Sequence, residues 1–169
     1  EWVEPGMYML PDECWHYMGN YYLESFDEAV VVVEDDRALR AVGAGKAKVI
    51  AYLEDDPTIF DTIDVYVIDP TFSIDNTEPE VGDIITITLE GVHEDVMEMD
   101  EADFGVDGYD DGAIYELSRD DSTITMRVRN NWGEQWMHPF FGFYGDPWIG
   151  YGDWFVVNIT GDERSLDRY

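Results

Sequence analysis

Basic side chains are scarce in this 169-residue chain. Lys and Arg total 9 against 39 Asp and Glu, leaving a formal net charge of −30. A surface so poor in cations excludes attraction to a nucleic-acid backbone or an anionic membrane. Cysteine is nearly absent too: Cys14 stands alone and forms no internal disulfide. Its neighbours Glu13 and Trp15 supply no base or cation to activate it, so it reads as an idle or buried thiol. Long apolar runs are missing as well. A stretch such as Ala29 to Val33 is far below the ~20 residues needed to span a bilayer, so no direct membrane insertion is expected. The chain opens at Glu1 without an initiator Met or a signal segment, and reads as a mature or excised piece of a longer exported protein.

What is present points to a folded chain. Apolar residues make up 45% and aromatics 15%, unlike the apolar-poor composition of a disordered acidic tail. The acid is spread through both halves: 15 acids and 4 bases give −11 over residues 1–68, and 24 acids and 5 bases give −19 over 69–169. Arg outnumbers Lys 7 to 2, which together with the acid excess suits an extracellular or salt-rich setting. Salt shortens the Debye length from ~10 Å at 0.1 M to ~3 Å at 1 M, relieving repulsion among the carboxylates. Thermal unfolding is therefore expected to move upward between low and molar NaCl, and to respond to far less CaCl₂ if a specific cation site exists. A melting temperature indifferent to both salts would mean that the carboxylates do not repel one another appreciably.

Strand patterns dominate. Gly45 to Leu53 is rich in small and β-branched residues. Ile63, Val65 and Val67 alternate with Thr62, Asp64 and Tyr66, and Ile85, Ile87 and Leu89 alternate with Thr86 and Thr88. Ile124, Met126 and Val128 alternate with Thr123, Thr125 and Arg127, and Phe155, Val157 and Ile159 with Val156, Asn158 and Thr160. A period of two with one apolar face suits a sheet that covers a core on one side. Turn signals separate these runs: Asp35-Asp36, Asp55-Asp56-Pro57, Asp69-Pro70, Val81-Gly82-Asp83, Asp111-Gly112 and Asp120-Asp121. Strands so punctuated predict an all-β protein of sandwich type. The one helix-like stretch is Glu90 to Glu101, with Val92, Val96 and Met99 at i, i+4, i+7. Asp69-Pro70 marks a boundary, predicting one domain over residues 1–68, a second over 69–162, and a tail or linker over 163–169.

Two stretches resemble known modules. Leu39 to Tyr52, followed by Asp61 to Val67, is similar to the closing half of bacterial Ig-like group 2 modules, with their Gly-x-Ala-x-Val/Ile-x-Ala strand, acidic loop and Thr/Val-rich last strand. Residues 1–36, with Trp15, Tyr17, Tyr21 and Tyr22, depart from that module's plainer first half. Phe72 to Leu89, with its Val81-Gly82-Asp83 turn before a Thr-rich strand, resembles the opening of Ig-like domains of bacterial and archaeal surface proteins, acidic archaeal surface-layer glycoproteins among them. The resemblance implies two tandem Ig-like β-sandwich domains at an extracellular cell surface. It also implies a structural role in a surface layer, filament or adhesive stalk, with neighbouring surface domains or further copies as partners.

Chemistry is thinly signalled. His16, His93 and His138 each stand alone, with no Gly-x-Ser-x-Gly, His-Glu-x-x-His or phosphate-binding loop. No enzyme is expected. Asp107, Asp110 and Asp111, with Asp103 close by, offer hard oxygens on a Gly-containing loop and form a candidate Ca²⁺ site, although the spacing fails the EF-hand rule. The alternative is a solvated acidic loop. Between Asn131 and Trp154 aromatics crowd together. Core packing, a contact between domains or subunits, and sugar stacking are the three readings of this segment. Trp132, Trp136 and Trp148 are the candidate contact or glycan residues, and Phe141 and Trp154 the expected core rings. Asn158-Ile159-Thr160 is a glycosylation sequon with Asn158 on the solvent face of its strand.

Overall fold

The computed structural model describes residues 2–3, 8–9, 21–34, 38–144 and 149–161. Glu13, Cys14, Trp15, His16, Tyr17, the Asp35-Asp36 turn, Trp148 and the 163–169 segment lie outside them. The chain divides into two compact units. One comprises Glu1–Asp69 together with Gly91–Val96, the other Pro70–Glu90 together with Met97–Tyr169. Both are built almost wholly of strands, and in each two sheets pack face to face as a β-sandwich.

In the first unit, β1 (Trp2–Val3), β7 (Phe60–Val67), β6 (Gly45–Leu53) and β3 (Tyr21–Ser25) form one sheet, in that order. A second sheet joins β2 (Tyr8–Met9), β5 (Ala38–Ala41) and β4 (Val31–Glu34). β6 and β7 pair antiparallel from Gly45 opposite Val67 to Tyr52 opposite Phe60. Their inward residues Ala47, Val49, Val65 and Val67 meet Val31, Leu39 and Ala41 of the other sheet in one buried cluster. Burial of these aliphatic side chains, at roughly 25 cal/mol per Å² of apolar surface, is what holds the two sheets together.

Gly91–Val96 carries the first three residues of the single-turn helix α1 (Glu94–Met97), a shorter helix than the 90–101 pattern suggests. Lys46 Nζ donates to Asp95 Oδ2 at 2.7 Å, Tyr66 OH donates to the same oxygen at 2.9 Å, and Lys48 Nζ donates to Asp64 at 2.8 Å. The Lys46 hydrogen bond lowers the Asp95 pKa, and Lys48 does the same for Asp64. A carboxylate whose folded pKa lies below its unfolded value of ~3.9 contributes stability above that value and loses it as pH falls through the folded one. Asp95→Asn is thus expected to melt below the wild-type chain near neutral pH, the gap closing as pH falls below about 4. A gap independent of pH would mean that Asp95 acts through shape alone.

The second unit opposes the sheet β11 (Ile114–Arg119), β12 (Thr123–Val128), β9 (Ile84–Glu90) and β8 (Thr71–Ile74) to the sheet β10 (Ala102–Asp107), β13 (Glu134–Phe143) and β14 (Ile149–Gly152), with β15 (Phe155–Asn158) also on β13. Ile85, Ile87, Ile124, Met126 and Val128 are fully buried, and so are Met137, Phe141 and Val157 of the facing sheet. Phe155 is only half-buried. Phe72 stacks on Phe104 at 6.3 Å, and Phe141 meets Phe143 edge-on at 5.4 Å.

Many of the acids are occupied in turns. Asp120 accepts hydrogen bonds from the Ser122 and Thr123 amides and from the Thr123 hydroxyl. Asp56 accepts from the Thr58 hydroxyl and amide. These bonds hold both carboxyls below the usual range. They are the self-capping turns for which Asp is favoured between strands.

Candidate aromatic contact face

The 131–154 segment is not a loop over the core. β13 runs through it for ten residues, and its side chains alternate: Gln135, Met137, Pro139, Phe141 and Phe143 are buried, while Glu134, Trp136, His138 and Phe140 lie on the outer side. β14 and β15 continue one register along the same edge, Phe140 opposite Gly152 and Met137 opposite Phe155. That register puts Trp154, in the break between them, opposite His138. Asp107 of β10 flanks His138 from the other side.

Ring geometry follows from these rows. The His138 imidazole stacks on the Trp154 indole at 4.5 Å between centroids and 23° between planes. Its Nδ1 lies 3.0 Å from Asp107 Oδ1. Trp136 stands across Trp154 at 6.4 Å and 66°, with its indole Nε1 donating to Glu134 Oε1 at 2.8 Å. Phe140 lies 6.2 Å from His138 at 32°. The rings lie low because glycines sit beneath them: a Cβ on Gly105 would come within 2.6 Å of the Phe140 ring, and one on Gly152 within 2.4 Å of His138 Nε2. Pairing a cross-strand glycine with an aromatic covers the exposed backbone with the ring. Nevertheless the face stays open, with Trp136 51% and Trp154 58% accessible. Tyr144, at its far end, donates to Asp103 Oδ2 at 2.7 Å, which raises the tyrosine pKa.

Trp154 therefore corrects the sequence reading, which put it in the core with Phe141. Its register opposite the outward His138 fixes it on the solvent side, whereas Phe141 is inaccessible. Trp132 is also exposed, but elsewhere, its ring lying over Gly112. His138 and Phe140 are members of the face that sequence reasoning did not single out; their spacing of two from Trp136 was the available signal.

The candidate Ca²⁺ ligands do not converge. Asp103 and Asp107 lie four residues apart on β10, about 13 Å at ~3.3 Å per residue. Asp103 accepts from Tyr144, Asp107 faces His138, and Asp110 Oδ1 accepts from the Gly112 amide. Asp111 follows in the same turn, exposed. Among the described residues no three His, Cys, Asp or Glu side chains gather in a way that could hold a metal ion. Asn158 is exposed on β15, directly opposite Glu134. No described helix is long and apolar enough to cross a membrane.

No protein-family model and no curated protein matches the chain. Solved structures that are similar include domains 4 and 5 of the S-layer protein SbsC, at 18% identity over 83% of this chain and 70% of that one, with a TM-score of 0.34. The structure of PcdhgB3 EC1-4 is 9% identical over 83% of this chain and 40% of its own, with a TM-score of 0.38. Cadherin domains 3–6 of protocadherin gamma B2 are 12% identical over 95% and 45%, with a TM-score of 0.37. The chain thus spans less than half of either of these last two structures. The likeness is one of general architecture alone.

Proposed function

We propose that this chain is a structural module of an extracellular cell-surface protein, in a surface layer, filament or adhesive stalk, and not an enzyme. It makes contact with neighbouring surface-protein domains through the outer face of its second sandwich. The observation that carries this reading is the outward Trp136–Trp154–His138–Phe140 group, with both indoles exposed, which lies on a regular sheet and is ordered by register. Interface centres are enriched in such rings and poor in charge, and single ring losses there commonly cost ~2 kcal/mol or more of binding. The sequence resemblance to Ig-like surface modules at 39–67 and 72–89 supports the same reading. In this reading the carboxylate shell collects cations from the medium, Ca²⁺ among them, and an N-linked glycan on Asn158 would stand on the same outer face as Glu134. Intact mass of the protein from its source organism tests that modification.

A photoreactive residue in place of Glu134, compared with one in place of the exposed Glu90, tests the contact on intact cells. Cross-linked protein species are expected from position 134 and not from 90. Their absence from 134, or equal yields from both, would overturn the contact reading. Carbohydrate binding is the second reading, favoured by the accessibility of both indoles. The 66° angle between the two indoles weighs against it, because a flat row is what successive sugar rings stack on.

A further inference from the structure

The outer face of β10, β13, β14 and β15 is one-sided in charge. Asp103, Asp107 and Glu134 border its rings, and none of the four strands contains Lys or Arg. Trp136 and Trp154 form two walls at 66°, with Glu134 held beside one and Asp107, 64% exposed at its side chain, beside the stacked imidazole. Aromatic faces carry negative potential and attract guanidinium or ammonium groups, most strongly at Trp and where carboxylates reinforce them.

We propose that this corner receives a basic side chain, arginine foremost, presented by a neighbouring protein domain of a different sequence. The inference rests on the contact-face reading and specifies its partner. Guanidinium suits the corner because it can stack flat on Trp154 while donating to a carboxylate in its own plane. A second copy of this chain is a poor source. Of its six described basic side chains, Arg40, Lys46, Lys48 and Arg119 already hold carboxylates of their own unit. Two bodies of charge −30 also repel.

The test uses the intact chain at about 0.5 M NaCl, where diffuse attraction is screened. Acetyl-Gly-Arg-Gly-amide is titrated against the same peptide with neutral, equally shaped citrulline, and the tryptophan indole N–H signals are followed by NMR. The Trp136 and Trp154 signals are expected to shift saturably while Trp132 stays still, and the arginine peptide to bind about fivefold tighter or more than its citrulline counterpart. Trp136→Ala or Trp154→Ala is expected to abolish the preference, and Trp132→Ala, of identical net charge, to leave it. Equal binding by all three variants would reduce the effect to general attraction by an acidic surface. Equal binding of citrulline would remove the cation. N-acetylglucosamine moving the same two signals where arginine does not would make the corner a sugar site. Each of these outcomes overturns the inference. Failure of the peptide together with successful cross-linking from position 134 rejects the arginine partner and leaves the contact face; failure of both rejects both.

Discussion

Phe141→Ala is expected to cost the second unit about 3–5 kcal/mol, while Trp154→Ala, thirteen residues on and larger, costs less than about 1 kcal/mol. Phe141 has no accessible surface and packs edge-on against Phe143. Truncation there removes the transfer energy of a ring and leaves a cavity that the two sheets cannot close, because each is fixed by its own ladder. Trp154 keeps 58% of its surface in water and loses chiefly its stack on His138. Urea unfolding followed by tryptophan fluorescence measures both. In thermal unfolding, a kilocalorie per mole corresponds to roughly 4–8 °C for a unit of this size, so Phe141→Ala should also lower the melting temperature by well over 10 °C. Similar costs for the two substitutions would mean that the sheet faces are assigned the wrong way round.

The second large effect is expected at Gly91. Its φ is +79°, and a Cβ there would lie 2.0 Å from the Asp69 carbonyl oxygen and 2.8 Å from its carbon. The obstacle is backbone, so no rotamer change relieves it. Left-handed geometry costs a non-glycine residue about 1–2 kcal/mol, and parting the two segments also breaks the 2.9 Å bond from the Asp69 amide to the Gly91 carbonyl, worth about 1 kcal/mol. Gly91→Ala should therefore cost about 2–3 kcal/mol by these two terms. Hydrogen exchange at the Asp69 amide is the direct measure: its protection should collapse, and unchanged protection would refute the close approach.

How far the sequence displays this structure depends on the strand. β6, β9 and β12 announce themselves because β-branched residues alternate with Thr, Lys or Arg, so one face is plainly dry and the other wet. β13 is hidden. Aromatics occupy both of its faces, Phe140 and Phe143 being equally apolar to the eye although only the latter is buried, and Pro139 and Gly142 imitate loop punctuation. Trp154 was misplaced for the same reason, since hydropathy cannot distinguish a ring beneath a sheet from one lying on a glycine above it. The exposure of Trp136 and Trp132 was foreseeable from their polar neighbours. The separation of Asp103 from Asp107 was not, because it requires knowing that the stretch between them is extended. Of the acids that read as a cation loop, Asp110 caps a turn, Asp103 meets Tyr144 and Asp107 meets His138.

The return of Gly91–Val96 to the first unit bears on how such a chain is inherited. A gene cut at the Asp69-Pro70 junction would not deliver two self-sufficient cassettes. The upstream piece would lack the carbonyl that receives the Asp69 amide and the carboxylate that receives Lys46 and Tyr66. Duplication or shuffling would therefore preserve the pair more readily than either member. The piece that can be moved without cutting these bonds is the tandem, even though each sandwich has its own core.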